Sequence, residues 1–416
     1  MSAPAWSGVP ILVVGIGADG WDGILPAVRA ELAACAVLFG SARQLELVPV
    51  DKVPARRRAW PSPLLPALPA LLGEHAGERV AVLASGDPMF FGIGGTLAGL
   101  FGPAALRVRP QPSSAALACA RLGWPAQDVP VVSAVGRPVR TVLPELTDGR
   151  RILVLSADGT TPAALAKLLC DNGFGGSRLT VLEQLGGPAE ERRTGTAADW
   201  PHPECDPLNI AAVEAVADDD HLRLTRTPGL PDAVFGGDGQ FTKAEIRALT
   251  LAALAPAPGE LLWDVGGGSG TIAIEWCRTH PTCRAVTFEQ HADRRDRITA
   301  NAAALGVPGI AVRGAAPDFR PEDGTPDAVF VGGGITQPGL LEACWAALPV
   351  GGRLVAAAVT AESEALLLAN SHRYGGTLRR YQVYRGKPLG GFTTWSPQLP
   401  VTHWAVRKSG ETSAGP

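Results

Sequence analysis

One segment of the chain places an acidic residue and a run of small residues at the end of an apolar stretch. In LLWDVGGGSGTIAIEWC the residues concerned are Asp264, Gly266, Gly267, Gly268, Ser269 and Gly270. Glycines there permit a tight turn with positive φ and let a ligand approach the backbone where a helix begins. Glu289 ends the next apolar segment, AVTFEQ, where nucleotide-binding folds place the acid that hydrogen-bonds ribose. The pattern favours a nucleotide-like ligand; an ordinary strand-to-helix turn and a solvated carboxylate are the alternatives.

The segment FTKAEIRALTLAAL precedes this loop. Thr242 and Glu245 form a T-x-x-E pattern ahead of the apolar positions Ile246, Leu249 and Leu254. That pattern predicts a capping box and a helix from residue 243. Thr242 is therefore interpreted as a helix cap, as a residue near the ligand, or as both.

The first half carries weaker signals of the same kind at predicted strand ends. They lie in VVGIGADG, in SGDPMFF, in the P-S-S turn and in EQLGG, and the candidate ligand-binding positions are Gly15, Gly17, Gly86, Asp87, Met89, Phe90, Ser113, Ser114 and Leu185. Asp87 is also a candidate catalytic residue, with a role as N-cap of the next helix as the alternative. Taken singly, each segment is also an ordinary strand-to-helix connection.

Strand-like segments alternate with helical patterns throughout, which predicts an α/β protein with parallel sheets covered on both faces. The predicted strands are ILVVGIG, AVLFG, RVAVLAS, VPVVSAV, RILVLS, LTVLEQL, LLWDVGG, AVTFEQ, IAVRGAA, DAVFVGGG and RLVAAAV, with a late strand pair near YQVYRGKP and THWAVRKSG. A charged and then Gly/Pro-rich stretch over 216–240 predicts a linker. We therefore expect domains at 1–227 and 228–416, the first split by VRPQPSS into lobes of about 1–109 and 110–227.

Composition narrows the function classes. With 37 basic and 40 acidic residues the formal net charge is −3, so no global positive field exists to hold nucleic acid or an anionic membrane. The 7 cysteines are dispersed and never spaced C-x-x-C, which indicates a reducing cytoplasm and no metal site. The first residues lack a basic n-region, and no apolar run of about 18 residues occurs, so we expect neither a signal peptide nor a membrane span.

The motifs of the second half together resemble the class I (Rossmann-like) S-adenosylmethionine-dependent methyltransferases. The Gly-rich loop, the T-K-x-E-I-R segment, AAPD at 315–318 and VGGG at 331–334 are similar in order to the C15-methylating and decarboxylating domain of cobalamin biosynthesis. This resemblance implies that S-adenosylmethionine contacts Thr242, the 266–270 loop, Glu289, Ala315 and Ala316. The family usually has Gly-Asp-Ala-Pro where this chain has Gly-Ala-Ala-Pro, so a carboxylate is missing at Ala315.

The first half resembles the two-lobed tetrapyrrole methylases, and most closely the C5-methylating subunit of the same pathway. The resemblance rests on the segments S-G-D-P, P-S-S, EQLGGPAEE and PLNIAAVEA. Two departures are Ala18-Asp19-Gly20 in the first loop and SAVGR at 133–137, which lacks the family's histidine. The order of the halves is similar to that of fused precorrin-6Y C5,15-methyltransferases. That family implies C5 methylation by the first half, and C15 methylation with loss of the C12 acetate carboxylate by the second, giving precorrin-8.

The implied chemistry requires little from side chains. A methyl sulfonium is a strong electrophile, so positioning and exclusion of water are the main tasks. Decarboxylation additionally needs cations that hold the substrate's other carboxylates, and the arginine candidates are Arg56, Arg57, Arg58, Arg137, Arg140, Arg192, Arg193, Arg294, Arg295 and Arg297. The resemblance also implies self-association. A two-domain nicotinamide dehydrogenase and a non-catalytic tetrapyrrole carrier remain open as other classes.

Overall fold

The computed structural model describes residues 6, 8–237, 239 and 241–410, and the start of the segment used to predict the absence of a signal peptide lies outside them. The chain divides into two compact units: unit 1, Met1–Val139 with Thr147–His221, and unit 2, Arg140–Leu146 with Leu222–Pro416. A short stretch of the first half thus belongs to unit 2. The boundary at 227/228 stays a prediction. Within the described residues no helix is long and apolar enough to cross a membrane.

The first lobe of unit 1 is a five-stranded parallel sheet with helices. Its strands are β1 (Ile11–Ile16), β2 (Val37–Gly40), β3 (Arg56–Ala59), β4 (Val80–Ser85) and β5 (Leu106–Arg109), and its helices are α1 (Pro26–Ala33), α2 (Ala42–Glu46), α3 (Leu68–Gly73) and α4 (Ile93–Phe101). The strand order is β3-β2-β4-β1-β5. β1 and β4 are aliphatic because both faces of the central strands are covered.

The second lobe has a sheet of a different kind. Its elements are α5 (Ser114–Leu122), β6 (Val131–Ser133), β7 (Arg151–Leu155), α6 (Thr161–Asp171), β8 (Arg178–Glu183), β9 (Glu191–Thr196) and β10 (Asn209–Glu214). In the order β6-β7-β10-β8-β9 only β6 and β7 run parallel. The prediction of a parallel sheet was wrong here. β8 and β9 are joined by a short loop, which allows an antiparallel hairpin and no crossover.

Unit 2 is built on a seven-stranded sheet. Its strands are β11 (Leu261–Val265), β12 (Arg284–Phe288), β13 (Ala311–Arg313), β14 (Ala328–Val331), β15 (Arg353–Ala358), β16 (Thr377–Tyr381) and β19 (Val401–Arg407), with a separate hairpin of β17 (Tyr384–Leu389) and β18 (Phe392–Pro397). The order is β13-β12-β11-β14-β15-β19-β16, with β19 antiparallel to both neighbours. The predicted late strands are therefore not a pair, since β17 pairs with β18.

In the described part of unit 2 the α-helices that cover this sheet are α7 (Ala244–Leu254), α8 (Thr271–Thr279), α9 (Ala292–Ala304), α10 (Leu340–Ala347) and α11 (Ala361–Tyr374). Short 3₁₀ helices occupy Gly20–Gly23, Pro103–Ala105, Ala126–Asp128, Val139–Glu145, Asp232–Val234 and Pro321–Asp323. Strand order changes direction between β11 and β14. In open α/β sheets the crevice at the carboxyl ends of such strands is where ligands bind. These observations confirm the predicted α/β class.

A buried ion pair joins α7 to α8. Arg247, fully buried, donates from Nε to Glu275, which is 2% exposed. Glu275 also accepts from the backbone N–H groups of Gly229 (2.6 Å) and Leu230 (2.9 Å), and Arg247 donates to the carbonyl oxygens of Leu230 and Thr242. A buried carboxylate and guanidinium are tolerated when their remaining bonds are satisfied in this way.

The ion pair also holds part of the segment predicted to be a linker, at Gly229, Leu230 and Asp232. Leu230 and Phe235 are buried, 3% and 5% exposed, in an apolar cluster with Ile274 of α8. The linker prediction was therefore wrong over residues 229–235. Its glycines and prolines mark turns in a packed segment, because side chains distant in sequence supply the partners of its backbone.

We expect Arg247→Met to destabilise unit 2 by about 3 to 5 kcal/mol, because Glu275 would remain buried without its counter-ion. Hydrogen exchange of peptides from α7 and α8 in the full chain measures this locally. Arg284→Met, at an exposed arginine of the same unit, should change the opening free energy by less than about 0.5 kcal/mol. Equal protection in both variants would contradict the role assigned to the pair.

Candidate active sites

Unit 2 contains a cavity of about 500 Å³ at the carboxyl end of β11. This volume lies within the roughly 300 to 1,000 Å³ typical of ligand pockets. Thr242, Asp264 and Gly266–Gly268 line it on one side. Its apolar wall consists of Phe241, Ile246, Ile272, Phe330, Ala357, Val359, Val383, Leu399 and Val401. Five of the predicted residues therefore meet in one place.

The glycine loop of this cavity is shaped by its contact with a second glycine segment. Gly266, Gly268 and Gly270 have positive φ values of 76°, 59° and 78°. A Cβ added to Gly266 would lie 2.7 Å from the backbone N of Gly333, so the loop and the VGGG segment approach through bare backbone. Any side chain at Gly266 would push the two strand ends apart.

Glu289 lies directly behind the loop. It is 4% exposed, and its carboxylate accepts from Gly268 N at 2.9 Å and from His291 N at 3.0 Å. Each carboxylate oxygen has a further lone pair, so the group retains capacity to accept from a diol. Glu289 lies outside the cavity walls, and its predicted contact with ribose stays a prediction.

Asp264 is the buried acid at the end of β11. It is 1% exposed, and its Oδ2 accepts from Ala273 N at 3.4 Å. Burial raises the pKa of Asp264 to about 7, and the nearby charge of Glu289 also raises it. The carboxyl group therefore changes charge near neutral pH while lining the cavity.

Thr242 does not cap the helix as predicted. α7 begins at Ala244 with Lys243 at the N-cap position and no side-chain capping bond. Asp232 accepts from Ala244 N at 2.9 Å instead, so a residue from the supposed linker performs the capping. Thr242 lies one residue earlier and lines the cavity.

Ser269 and Gly270 belong to the loop, and neither they nor Ala315 and Ala316 line the cavity. The carbonyl oxygen of Ser269 accepts from Asn301 Nδ2 at 3.0 Å, which ties the loop to α9. Ala315 is exposed, and Ala316 packs against the apolar core. Their predicted contacts with the donor stay predictions.

Three charged residues at the cavity were missed by the sequence reasoning: Lys243, Glu245 and Arg385. Arg385 Nη2 donates to both oxygens of Glu245, at 3.0 and 2.8 Å, and these bonds raise the pKa of Arg385. Lys243 Nζ lies 4.2 Å from the centroid of the Phe241 ring. The T-K-x-E segment contained two of the three, but Arg385 is distant in sequence and no local pattern marks it.

Unit 1 contains a cavity of about 100 Å³ where residues of both lobes meet. The predicted residues Gly17, Gly86, Ser114 and Leu185 line it. The volume is below the typical range for ligand pockets, so this cavity must widen to admit a ligand of nucleotide size. Arg43 and Asn209 also line it and were missed.

The remaining predicted residues of unit 1 have other surroundings. Asp87 Oδ1 accepts from Met89 N at 2.8 Å, and α4 begins later with Gly92 at its N-cap, so the alternative role of Asp87 as helix cap was wrong. Met89 and Phe90 are exposed, 51% and 38%. Ser113 caps α5 by accepting from Ala116 N at 3.1 Å.

Gly15 is covered by backbone, since an added Cβ would lie 1.9 Å from the carbonyl oxygen of Gly86.

The arginines predicted for the substrate lie outside the walls of both cavities. Several form ion pairs, for example Arg56 with Glu78 at the surface and Arg193 with the buried Glu183. Among the described residues no group of histidine, cysteine and acidic side chains is arranged to hold a metal ion.

Two protein families match separate parts of the chain. Residues 10–201 match the family of tetrapyrrole (corrin/porphyrin) methylases, and residues 233–408 match the precorrin methyltransferase domain. A protein of Mycobacterium tuberculosis (strain CDC 1551 / Oshkosh), precorrin-6Y C(5,15)-methyltransferase [decarboxylating], is 52% identical over 96% of this chain and 100% of its own length. The chain belongs to the precorrin-6Y C5,15-methyltransferase (decarboxylating) family. A Sinorhizobium member is 46% identical over 98% of both chains.

A solved structure similar to unit 2 covers part of the chain. It is the C-terminal domain of precorrin-6Y C5,15-methyltransferase from Rhodobacter capsulatus, 43% identical, and the match covers 44% of this chain and 100% of that domain with a TM-score of 0.41. The methyl donor of these enzymes is S-adenosylmethionine. The unit 2 site fits such a donor, because it combines a bare glycine backbone, the buried carboxyl group of Asp264 and an apolar wall in a cavity of sufficient size.

We expect the affinity of unit 2 for S-adenosylhomocysteine to depend on Asp264 and on pH. If the ionised carboxylate attracts the ligand's ammonium group, binding tightens as pH rises through about 7 and is about tenfold weaker at pH 6 than at pH 8. Calorimetric titration of the full chain, fitted for two sites, measures this. Asp264→Asn should bind more weakly and lose the dependence; equal affinity of the native chain at both pH values would contradict the assignment.

Proposed function

We propose that unit 1 methylates a precorrin macrocycle at C5, and that unit 2 methylates it at C15 and removes the C12 acetate carboxylate, giving precorrin-8. The observation that carries this proposal is the unit 2 cavity, where the glycine loop, an apolar wall and two cations face the same space. A flat conjugated ring with acidic side chains requires this combination of apolar and cationic surfaces. The unit 1 cavity supports the C5 methylation through its two strand-end glycines, Gly17 and Gly86.

Each methylation is a displacement at carbon. A ring carbon uses a π electron pair to form the new C–C bond while the bond from the methyl group to sulfur breaks, and sulfur keeps the electron pair. Loss of a proton from the macrocycle then removes the positive charge left on the ring. The glycine loop holds the donor at the strand ends, and Phe241 and Ile272 exclude water from the reacting carbon. No nucleophilic side chain is required, because positioning alone supplies much of the rate.

Decarboxylation uses the same cavity. The bond to the carboxylate carbon breaks, CO₂ leaves, and the electron pair stays on the acetate methylene carbon in conjugation with the ring, where a proton completes a methyl group. The apolar wall disfavours the charged carboxylate and favours neutral CO₂. Lys243 and Arg385 hold the carboxylates that remain.

Arg385 is suited to this role by its surroundings. Its side chain is 39% exposed and already oriented by Glu245 and by Asp232, whose Oδ2 lies 3.7 Å from Nη2. The guanidinium group offers five donors in a planar fork, so it can hold a substrate carboxylate in addition to Glu245. Its bonds to Glu245 hold this residue of β17 beside the first turn of α7.

We also propose a cytoplasmic, self-associating enzyme. All seven cysteines are free thiols in the structure, as expected in a reducing compartment. Self-association is proposed from the family resemblance.

The assignment of the two steps is tested with Gly86→Val in the full chain. Gly86 has φ of 59° and lies against the backbone of Pro112, so a side chain there should close the unit 1 cavity. With precorrin-6Y and S-adenosylmethionine, mass analysis should show a product with one added methyl group and one lost CO₂.

Gly102→Val is the matched control, because Gly102 also has positive φ, 82°, but open space around its Cβ position. It should yield both methyl groups and loss of CO₂, like the unaltered chain. An unaltered chain that adds no methyl group to precorrin-6Y would refute the proposed function. A Gly86→Val chain that completes both methylations would refute the placement of the C5 step.

Arg385→Met should raise the KM for the macrocycle in the C15 step about tenfold while leaving the KM for S-adenosylmethionine unchanged, since a charge-assisted hydrogen bond is lost. Lys387→Met, at an exposed cation of the same strand outside the cavity walls, is the control. The proposal for Arg385 fails when both variants show the same KM for the macrocycle.

A further inference from the structure

The unit 1 cavity has a cationic residue in its wall. Arg43, on α2, lines the cavity together with Gly17 and Gly86. Its Nη2 donates to Ser85 Oγ at 2.9 Å. Ser85 ends β4 and begins the S-G-D-P segment, so the guanidinium group is fixed beside a glycine at which the donor is expected.

A set of hydrogen bonds holds Arg43 in place. Ser41 and Gln44 form a reciprocal capping box at the start of α2, with Ser41 N donating to Gln44 Oε1 at 2.8 Å. Gln44, 8% exposed, donates from Nε2 to Ser85 Oγ at 3.1 Å. Two neighbouring residues of α2 thus donate to one hydroxyl group, which orients the guanidinium before any ligand binds.

Arg43 differs from several other arginines of unit 1, whose charges are balanced by a paired carboxylate. Arg109 is paired with Glu31, Arg121 with Glu190 and Arg193 with Glu183. Within the part of the chain that the structure describes, Arg43 has no ion-pair partner, and Ser85 is its one hydrogen-bond acceptor. Burial lowers the pKa of Arg43, and the charge of Asp206 opposes this shift.

Asp206 has other bonds to satisfy. Its carboxylate accepts from Gln184 Nε2 at 2.9 and 3.0 Å and from Leu208 N at 2.7 Å. Its charge therefore affects the pKa of Arg43 without a direct bond between the two side chains. A partly desolvated cation with unused donors in a cavity wall favours a bound anion.

We propose that Arg43 binds a carboxylate in the unit 1 cavity and so positions a reactant for the C5 methylation. This inference rests on the proposed function of unit 1. Two reactants carry such a group: the amino-acid end of S-adenosylmethionine and the acidic side chains of the macrocycle. The fork of the guanidinium group suits either one, because a second edge remains for a bidentate contact.

The test uses Arg43→Met in the full chain and, as substrate, the C15-methylated and decarboxylated intermediate collected from the Gly86→Val reaction. We expect kcat/KM for C5 methylation to fall about 10-fold to 100-fold. If Arg43 binds the carboxylate of the donor, the KM for S-adenosylmethionine rises. If it binds a carboxylate of the macrocycle, the KM for the intermediate rises instead. Arg178→Met, at an exposed arginine of β8 outside the cavity walls, should leave all three values unchanged.

Arg43→Lys keeps the charge and loses the fork, so it should recover part of the lost affinity, which a purely structural role would not predict. It also serves if Arg43→Met does not fold. Native kinetics in the Met variant, or in the Lys variant used in its place, would overturn the inference and leave the proposed function intact. Failure of the unaltered chain to methylate the intermediate would instead refute the C5 assignment itself.

Discussion

The architecture of the unit 2 site depends on the buried bond between Arg247 and Glu275. It joins α7, which begins just after Thr242, to α8, which begins at the glycine loop. The same two side chains satisfy backbone groups of Gly229, Leu230 and Thr242. An unpaired charge in that position would be strongly unfavourable. The pair therefore holds α7 and α8 together, and both helices supply residues to the cavity wall.

In unit 1, contacts between backbone atoms bring the strand ends of the cavity together. The carbonyl oxygen of Gly86 occupies the space where Gly15 would carry a Cβ, and the backbone of Pro112 packs against Gly86 in turn. Contact between bare backbones brings the ends of β1 and β4 close to the P-S-S turn of the second lobe. Such contact fixes distance but offers no charge, so polar recognition in this cavity has to come from side chains such as Arg43 and Asn209.

The sequence predicts features that consecutive residues determine, and it misses sites that segments distant in sequence form together. Asp264 and the 266–270 loop were identifiable because a strand, a glycine run and a helix follow one another directly. Thr242 was assigned a capping role that Asp232 performs, since a cap from another segment leaves no trace in the T-x-x-E pattern. The second lobe was expected to be parallel because strand and helix patterns do not encode pairing direction. Arg385 and Arg43 gain meaning only from cavities formed by distant segments, and no spacing rule reveals them.

The two cavities differ in how their cations are compensated, and this difference has a chemical consequence. Arg385 bonds to Glu245 across the unit 2 cavity, so an incoming carboxylate shares a guanidinium that is already neutralised and is held with moderate strength. A site that must release CO₂ and then a product with the same remaining carboxylates gains from such weak holding. Arg43 has only a neutral hydroxyl partner in the described chain. No neighbouring carboxylate in the described chain neutralises Arg43, so its attraction for an anion is stronger. The unit 1 cavity is narrow and must widen to bind a ligand, and this attraction offsets part of the free energy needed to separate its walls.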